Sequence, residues 1–162
     1  MNDSWDDRVA AIWGNAHEMA ELDLVAAIDE LAAERNPDDA RALFEAAGAR
    51  DYAGLEVEAE PLYKRALEGQ LDENLVPRAI IQLASTLRNL GRVDEAIALL
   101  ESQLHAHPAD EWTGPSAAFL ALCLVSRGEE RQAASVALAA LADYLPVYAN
   151  SVRSYAVELF DS

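Results

Sequence analysis

The stretch AEPLYKRAL, from Ala59 to Leu67, decides the fold. Its apolar residues have the spacing of a helix, yet it carries Pro61. A proline in a helix interior removes one backbone hydrogen bond and clashes with the carbonyl four residues back, at a cost of about 3 kcal/mol. A segment kept helical against that cost is held by more than its own propensity.

Outward from Ala59, Gly54 lies five residues before it, and the same pair recurs as Gly91 with Ala96 and Gly128 with Ala133, a spacing of 37 residues. Seven residues before each glycine is an alanine, Ala47, Ala84 and Ala121; thirteen after it is a leucine, Leu67, Leu104 and Leu141. Four columns agreeing in three copies at one register define an internal repeat. The segments before the glycines (RALFEAAGARDY, PRAIIQLASTLRNL, PSAAFLALCLVS) and after them (EAEPLYKRALE, VDEAIALLESQL, ERQAASVALAAL) repeat their apolar residues every three or four positions. Each unit therefore reads as helix, tight turn, helix. Glycine supplies the turn, the small alanines let two helices approach, and the leucines are expected to fill the space between neighbouring hairpins. A lone hairpin cannot bury its apolar face, so at least about three must stack.

This pattern resembles the tetratricopeptide repeat, a helix-turn-helix unit of about 34 residues. AEPLYKRAL is similar to the second helix of repeats of the kinesin light chain type, where a proline stands at the same place near the helix start. The resemblance covers residues 37 to about 146. It implies an all-α, right-handed superhelical solenoid of antiparallel hairpins with about nine helices, in a single domain. Capping helices are expected over 1–36, repeats over 37–73, 74–110 and 111–146, and a C-terminal capping helix over 147–162. Pro61 then falls in the first turns of its helix, where backbone donors lack partners, or at a bend. The chain departs from the family pattern in three ways. Its period is longer, the bulky residue early in the first helix shrinks from Leu43 and Ile80 to Ala117, and the third copy lacks the aromatic that Tyr63 supplies in the first.

Before the repeats, Trp5, Val9, Ile12, Trp13, Ala16 and Met19 fall on one helical face, and Leu24, Val25, Ile28, Leu31 and Ala32 on another. They read as a degenerate hairpin closing that end. Asn36, Pro37, Asp38 and Asp39 read as a helix start, with Asn36 as the cap. After Pro146, Tyr148, Val152, Tyr155, Ala156 and Leu159 form a stripe. Ala117 to Val125 is a run of nine apolar residues, putting Phe119, Leu122 and Val125 where the second copy is polar. Such a surface needs a cover. The final helix, packing Tyr148, Val152 and Tyr155, is the expected one, and a partner subunit is the alternative.

Composition narrows the function. With 162 residues, 52% apolar and 25% charged, the chain can bury a sizeable core. Twenty-nine acidic residues against twelve basic ones leave a net charge of −17, which opposes nucleic acid and anionic membrane surfaces as partners. Cys123 is the single cysteine, so no internal disulfide forms, in keeping with a reducing compartment. The start MNDSWDDRVAA is acidic where a signal peptide is basic, and no apolar segment approaches the ~18 residues that span a bilayer. A cytoplasmic protein is expected.

No catalytic or metal constellation emerges. HEMAE, from His17, places Glu21 where a zinc-protease helix needs its second histidine. His105 and His107 fall at a helix end, where histidine is favourable for dipole reasons alone, and Cys123 lies in an apolar run as a core residue does. No enzyme activity, cofactor or metal is expected. The remaining signal is the groove side of the first helices. The first copy presents Arg41, Phe44, Glu45, Gly48 and Tyr52 there, and the second Arg78, Ile81, Gln82, Ser85, Arg88 and Asn89. Two readings stay open: these arginines hold a carboxylate-bearing peptide, or they pair with the protein's own acids. The lysine–asparagine clamp of chaperone-binding tetratricopeptide domains is missing, since Phe44 and Gly48 occupy its positions. The expectation is a scaffold binding a protein or peptide, the alternative a regulatory sensor of a small ligand or signalling peptide. Self-association through the apolar third copy stays open.

Overall fold

The computed structural model describes residues 4–160; the first three residues of the acidic start and the last two of the expected C-terminal cap lie outside the described residues. Among the described residues there are nine α-helices and no strand: α1 Trp5–Gly14, α2 Glu21–Ala32, α3 Ala40–Tyr52, α4 Glu56–Glu68, α5 Val76–Asn89, α6 Val93–Ala106, α7 Thr113–Arg127, α8 Glu130–Ala142 and α9 Ala149–Phe160. The chain is all-α, with the helix number the repeat implied.

The three glycine columns are three identical turns. Gly54, Gly91 and Gly128 have φ of 69°, 78° and 86°, the left-handed region in which a Cβ would be strained. After each, the next residue's amide donates back to the carbonyl five residues earlier: Leu55 to Arg50 (2.8 Å), Arg92 to Leu87 (2.9 Å) and Glu129 to Leu124 (2.9 Å). Each glycine amide donates to the carbonyl three residues back, in Asp51, Arg88 and Val125. This pair of bonds satisfies carbonyls that a helix C-terminus leaves without partners. The repeat in the letters is thus a repeat of backbone hydrogen bonds.

Packing follows the alanine columns. Ala47, Ala59, Ala84, Ala96, Ala121 and Ala133 are all buried. The leucine column behaves otherwise than expected: Leu67 and Leu104 are half-buried, and Leu141 is exposed. The inward positions are one residue earlier, at Ala66 and Gln103, because one residue turns a helix by about 100°.

Pro61 sits in the second turn of α4, beyond the first four residues whose amides lack partners in any helix. The carbonyl that loses its donor is that of Val57. Both residues are exposed, so water can take the place of the missing amide. The start of α3 is also shifted from expectation. Asp39, not Asn36, is the N-cap, its carboxylate accepting from the Ala42 amide at 2.9 Å, while Asn36 accepts from the Asp38 amide in the preceding turn.

By contacts the chain forms two compact units, one up to Ala79 and one from Ile80 onward. In the first, α2 packs on α3 and α3 on α4. Ser4 caps α1 through a reciprocal pair of bonds with Asp7, and the Trp5 indole donates to the Leu31 carbonyl at 2.8 Å. The single N-terminal stripe is in fact broken: α1 ends at Gly14, and Ala16 and Met19 reach the core of Leu24, Ile28 and Ala49 from a 3₁₀ turn and its end.

In the second unit, α6 packs on α7, α7 on α8 and α8 on α9. The final helix does cover the third hairpin's second helix, but not with the aromatics expected. Ala156 is buried with Val152 and Leu159 beside it, whereas Tyr148 is 77% and Tyr155 63% exposed. Tyr148 precedes the helix with a positive φ, and Tyr155 stands next to Ala156, about 100° round the axis. Leu122 and Val125 of the apolar run are left exposed.

Candidate partner-binding surface

On α3, Arg41, Glu45, Gly48 and Tyr52 share one face by their spacing of four, three and four residues. Trp13 of α1 lies on that face. Its indole N–H donates to Glu45 Oε2 at 2.6 Å, and Arg41 Nε donates to Glu45 Oε1 at 2.8 Å, so both oxygens of this buried carboxylate are satisfied. Gly48 lies under the Trp13 ring, where a Cβ would stand 3.4 Å from it, in ordinary van der Waals contact. The same ring meets Tyr52 edge-on with centroids 6.3 Å apart. Arg41 also reaches Asp6 at 3.7 Å and lies near the Trp5 ring, over which Arg35 stacks at 4.0 Å. Arg41 is therefore engaged with the protein's own acids, and Tyr52 remains half-exposed. Phe44 is buried against Tyr63, ring centroids 6.3 Å apart. Burial pushes the Tyr63 phenol above its ordinary value, and the charge of nearby Asp51 adds to this.

On α5, Arg78 is exposed, with its guanidinium 5.8 Å above the Phe44 ring. Gln82 and Ser85 are half-buried and Asn89 is exposed. Arg88 Nε donates to Ser126 Oγ of α7 at 2.8 Å, and its Nη1 donates to the Asn89 side-chain oxygen at 3.3 Å. Cys123 is fully buried, and burial raises its thiol pKa despite the nearby Arg88 charge. It packs as a core residue.

The arginines differ in their partners. Arg50 makes a bidentate pair with Asp29 at 2.8 and 2.9 Å and reaches Glu58, Arg65 pairs with Asp38, Arg92 with Glu95, Arg127 with Asp94 and Glu129, and Arg153 with Asp143. The hydrogen bond to Asp29 raises the Arg50 pKa. Among the described residues, neither Arg78 nor Arg88 has a carboxylate within ion-pair distance. In a chain with 29 acids for 12 bases, two cations without an acid partner are the exception. Part of this is readable in the letters: Arg41 has Glu45 four residues on, whereas Asn74, Leu75, Ile81 and Gln82 flank Arg78, and Ala84, Ser85, Gly91 and Arg92 flank Arg88, at three and four residues. The pairing of Arg50 across helices is not.

No group of three or more His, Cys, Asp or Glu that could hold a metal occurs among the described residues, and none of their helices is long and apolar enough to cross a membrane. His107 lies 3.3 Å from Asp110 on an exposed turn.

No curated protein matches the chain. A family model described as the tetratrico peptide repeat matches residues 40–159. That span takes in all three glycine turns and the helices on either side of them, and by it the chain belongs to the tetratricopeptide repeat family.

Proposed function

We propose that the protein is a non-catalytic, cytoplasmic scaffold that binds an acidic segment of a partner protein or peptide, with Arg78 and Arg88 as its cationic anchors. The observation that carries this is that, among the described residues, neither has an acid partner in so acidic a chain. An exposed guanidinium already in an ion pair gains little by exchanging one carboxylate for another, whereas an unpaired one gains a charge-assisted contact whose fork geometry suits a carboxylate. Arg78 is held by stacking over Phe44, and Arg88 by Ser126 and Asn89, so each is positioned without being neutralised. Gln82, Ser85 and Asn89 of the same helix supply polar groups beside them. Arg41 takes no part, since Glu45 and Asp6 already neutralise it. The family supports the general mode, because its repeats commonly serve as protein-interaction scaffolds.

The test is fluorescence anisotropy with a labelled glutamate-rich peptide, comparing the native chain with Arg78→Glu and Arg88→Glu. Each substitution is expected to raise Kd about tenfold or more while leaving the melting temperature within about two degrees, since neither arginine closes an internal ion pair. Unchanged affinity would sink the proposal. So would a large drop in melting temperature accompanying every loss of binding, which would make the arginines structural.

A further inference from the structure

Two buried positions in the unit from Ile80 onward break the repeat's own columns. The inward column of the second helices holds Ala66 in the first copy but Gln103 in the second; the column that holds Ala42 and Ala79 in the first helices holds Ser116 in the third copy. Ser116 is fully buried and Gln103 nearly so. Gln103 lies three residues before the end of α6, and Ser116 three after the start of α7. These helices pack on each other and are joined by the short connection 107–112, so they run antiparallel and set both side chains at one level of their contact. Among the described residues, neither Gln103 Nε2 nor Ser116 Oγ has a hydrogen-bond partner.

A buried amide or hydroxyl without a partner gives up its hydration when two helices close on it and recovers that hydration when they part. The alanines of the other copies carry no such penalty, so the α6/α7 contact opens more readily than one built to the column pattern. Two further ties from α7 to earlier helices, the Arg88 bond to Ser126 and the Arg127 pair with Asp94 at 3.3 Å, are exposed and contribute little. The connection is exposed from His107 to Glu111 and adds no packing. On its other side α7 packs on α8, and α8 on α9. We propose that the α6/α7 contact is a polar seam at which α7, α8 and α9 open from α6 as one block while the preceding helices stay folded. Each repeat meets only its neighbours, so one contact can part by itself. Opening separates Ser126 from Arg88, and the closed and open forms then differ in how that guanidinium is held. The seam is independent of what the arginines bind.

The chain carries its own reporter. Cys123, the single cysteine, is fully buried and lies seven residues after Ser116, on the same face of α7, so parting of the seam uncovers it. The experiment is reaction of the full chain with excess dithionitrobenzoate at increasing urea, with amide hydrogen exchange to locate the opening. The thiol is expected to react about tenfold or more faster than global unfolding permits, with a shallower dependence on urea than the global transition. Ser116→Ala and Gln103→Leu should each slow the reaction several-fold, and should add protection to amides of α7, α8 and α9 but not of α3 and α4. Gln103→Ala, the residue of the first copy, replaces the leucine variant should that one fail to fold. Reaction with the full urea dependence of global unfolding overturns the proposal, as does a rate unchanged or raised in the seam variants. Added protection confined to α9 also overturns it, in favour of fraying at the chain end.

Discussion

The left-handed glycines show how much a single residue settles here. At Gly128 a Cβ would meet no atom within 4 Å, so the need for glycine is not one of space. It comes from φ of 86°, where the side chain of an L-residue crowds its own backbone. Gly128→Ala is therefore expected to cost about 1 kcal/mol in urea unfolding, and Gly128→Asn less, because asparagine tolerates this region. Equal stability of all three forms would mean that the turn can be remade in another conformation. A requirement of this kind is local, which is why three glycines at one spacing are legible in the letters. The arginines are the opposite case. Arg41 with Glu45 is a pair within one helix and legible, but Arg41 with Asp6, or Arg50 with Asp29, depends on which helix comes to lie alongside.

At the scale of the element, the start of α3 gathers several terms in one side chain. Asp39 is partly buried, which by itself would raise its pKa, but the Ala42 amide and the Arg35 guanidinium, 3.1 Å away, together hold it below its usual value. A carboxylate whose pKa is depressed on folding stabilises the fold above its unfolded value of about 3.9, and that contribution is lost as pH falls through the folded value. Asp39→Ala is expected to lower stability by about 1 kcal/mol at neutral pH and to flatten the loss of stability in acid. Asp39→Asn should keep the capping oxygen and lose mainly the ion pair, so it should fall between the two. A melting temperature that drops in acid as steeply in Asp39→Ala as in the native chain would show that other carboxylates govern the acid limb. Sequence spacing places this helix start to within three residues. It names the wrong cap, because Asn36 and Asp39 are both good capping residues and only the path of the chain selects between them.

For the whole molecule, charge is the dominant fact. Twelve bases can neutralise at most twelve of 29 acids, so the excess carboxylates repel one another in the folded state. Salt screens that repulsion over a Debye length of about 10 Å at 0.1 M and 3 Å at 1 M. It also weakens exposed pairs such as Arg92 with Glu95, but each of those contributes at most about 1 kcal/mol. Melting temperature is therefore expected to rise by several degrees between 20 mM and 0.5 M sodium chloride, measured by circular dichroism at pH 7; a fall would mean that the ion pairs outweigh the repulsion. The helical class, the three turns and the alanine contacts between helices followed from the letters alone, because they rest on φ, on the 3.6-residue period and on side-chain size, all set within a few residues. What only the tertiary structure decided is which faces are covered and which charges are paired. Trp13 closes over Gly48 and over Glu45, 32 residues away, α9 packs through Ala156 and leaves Leu122 and Val125 open, and Arg78 and Arg88 meet no acid among the described residues. Periodicity gives the apolar face of a helix, but the neighbour that meets it is fixed by the relative placement of helices far apart in the chain.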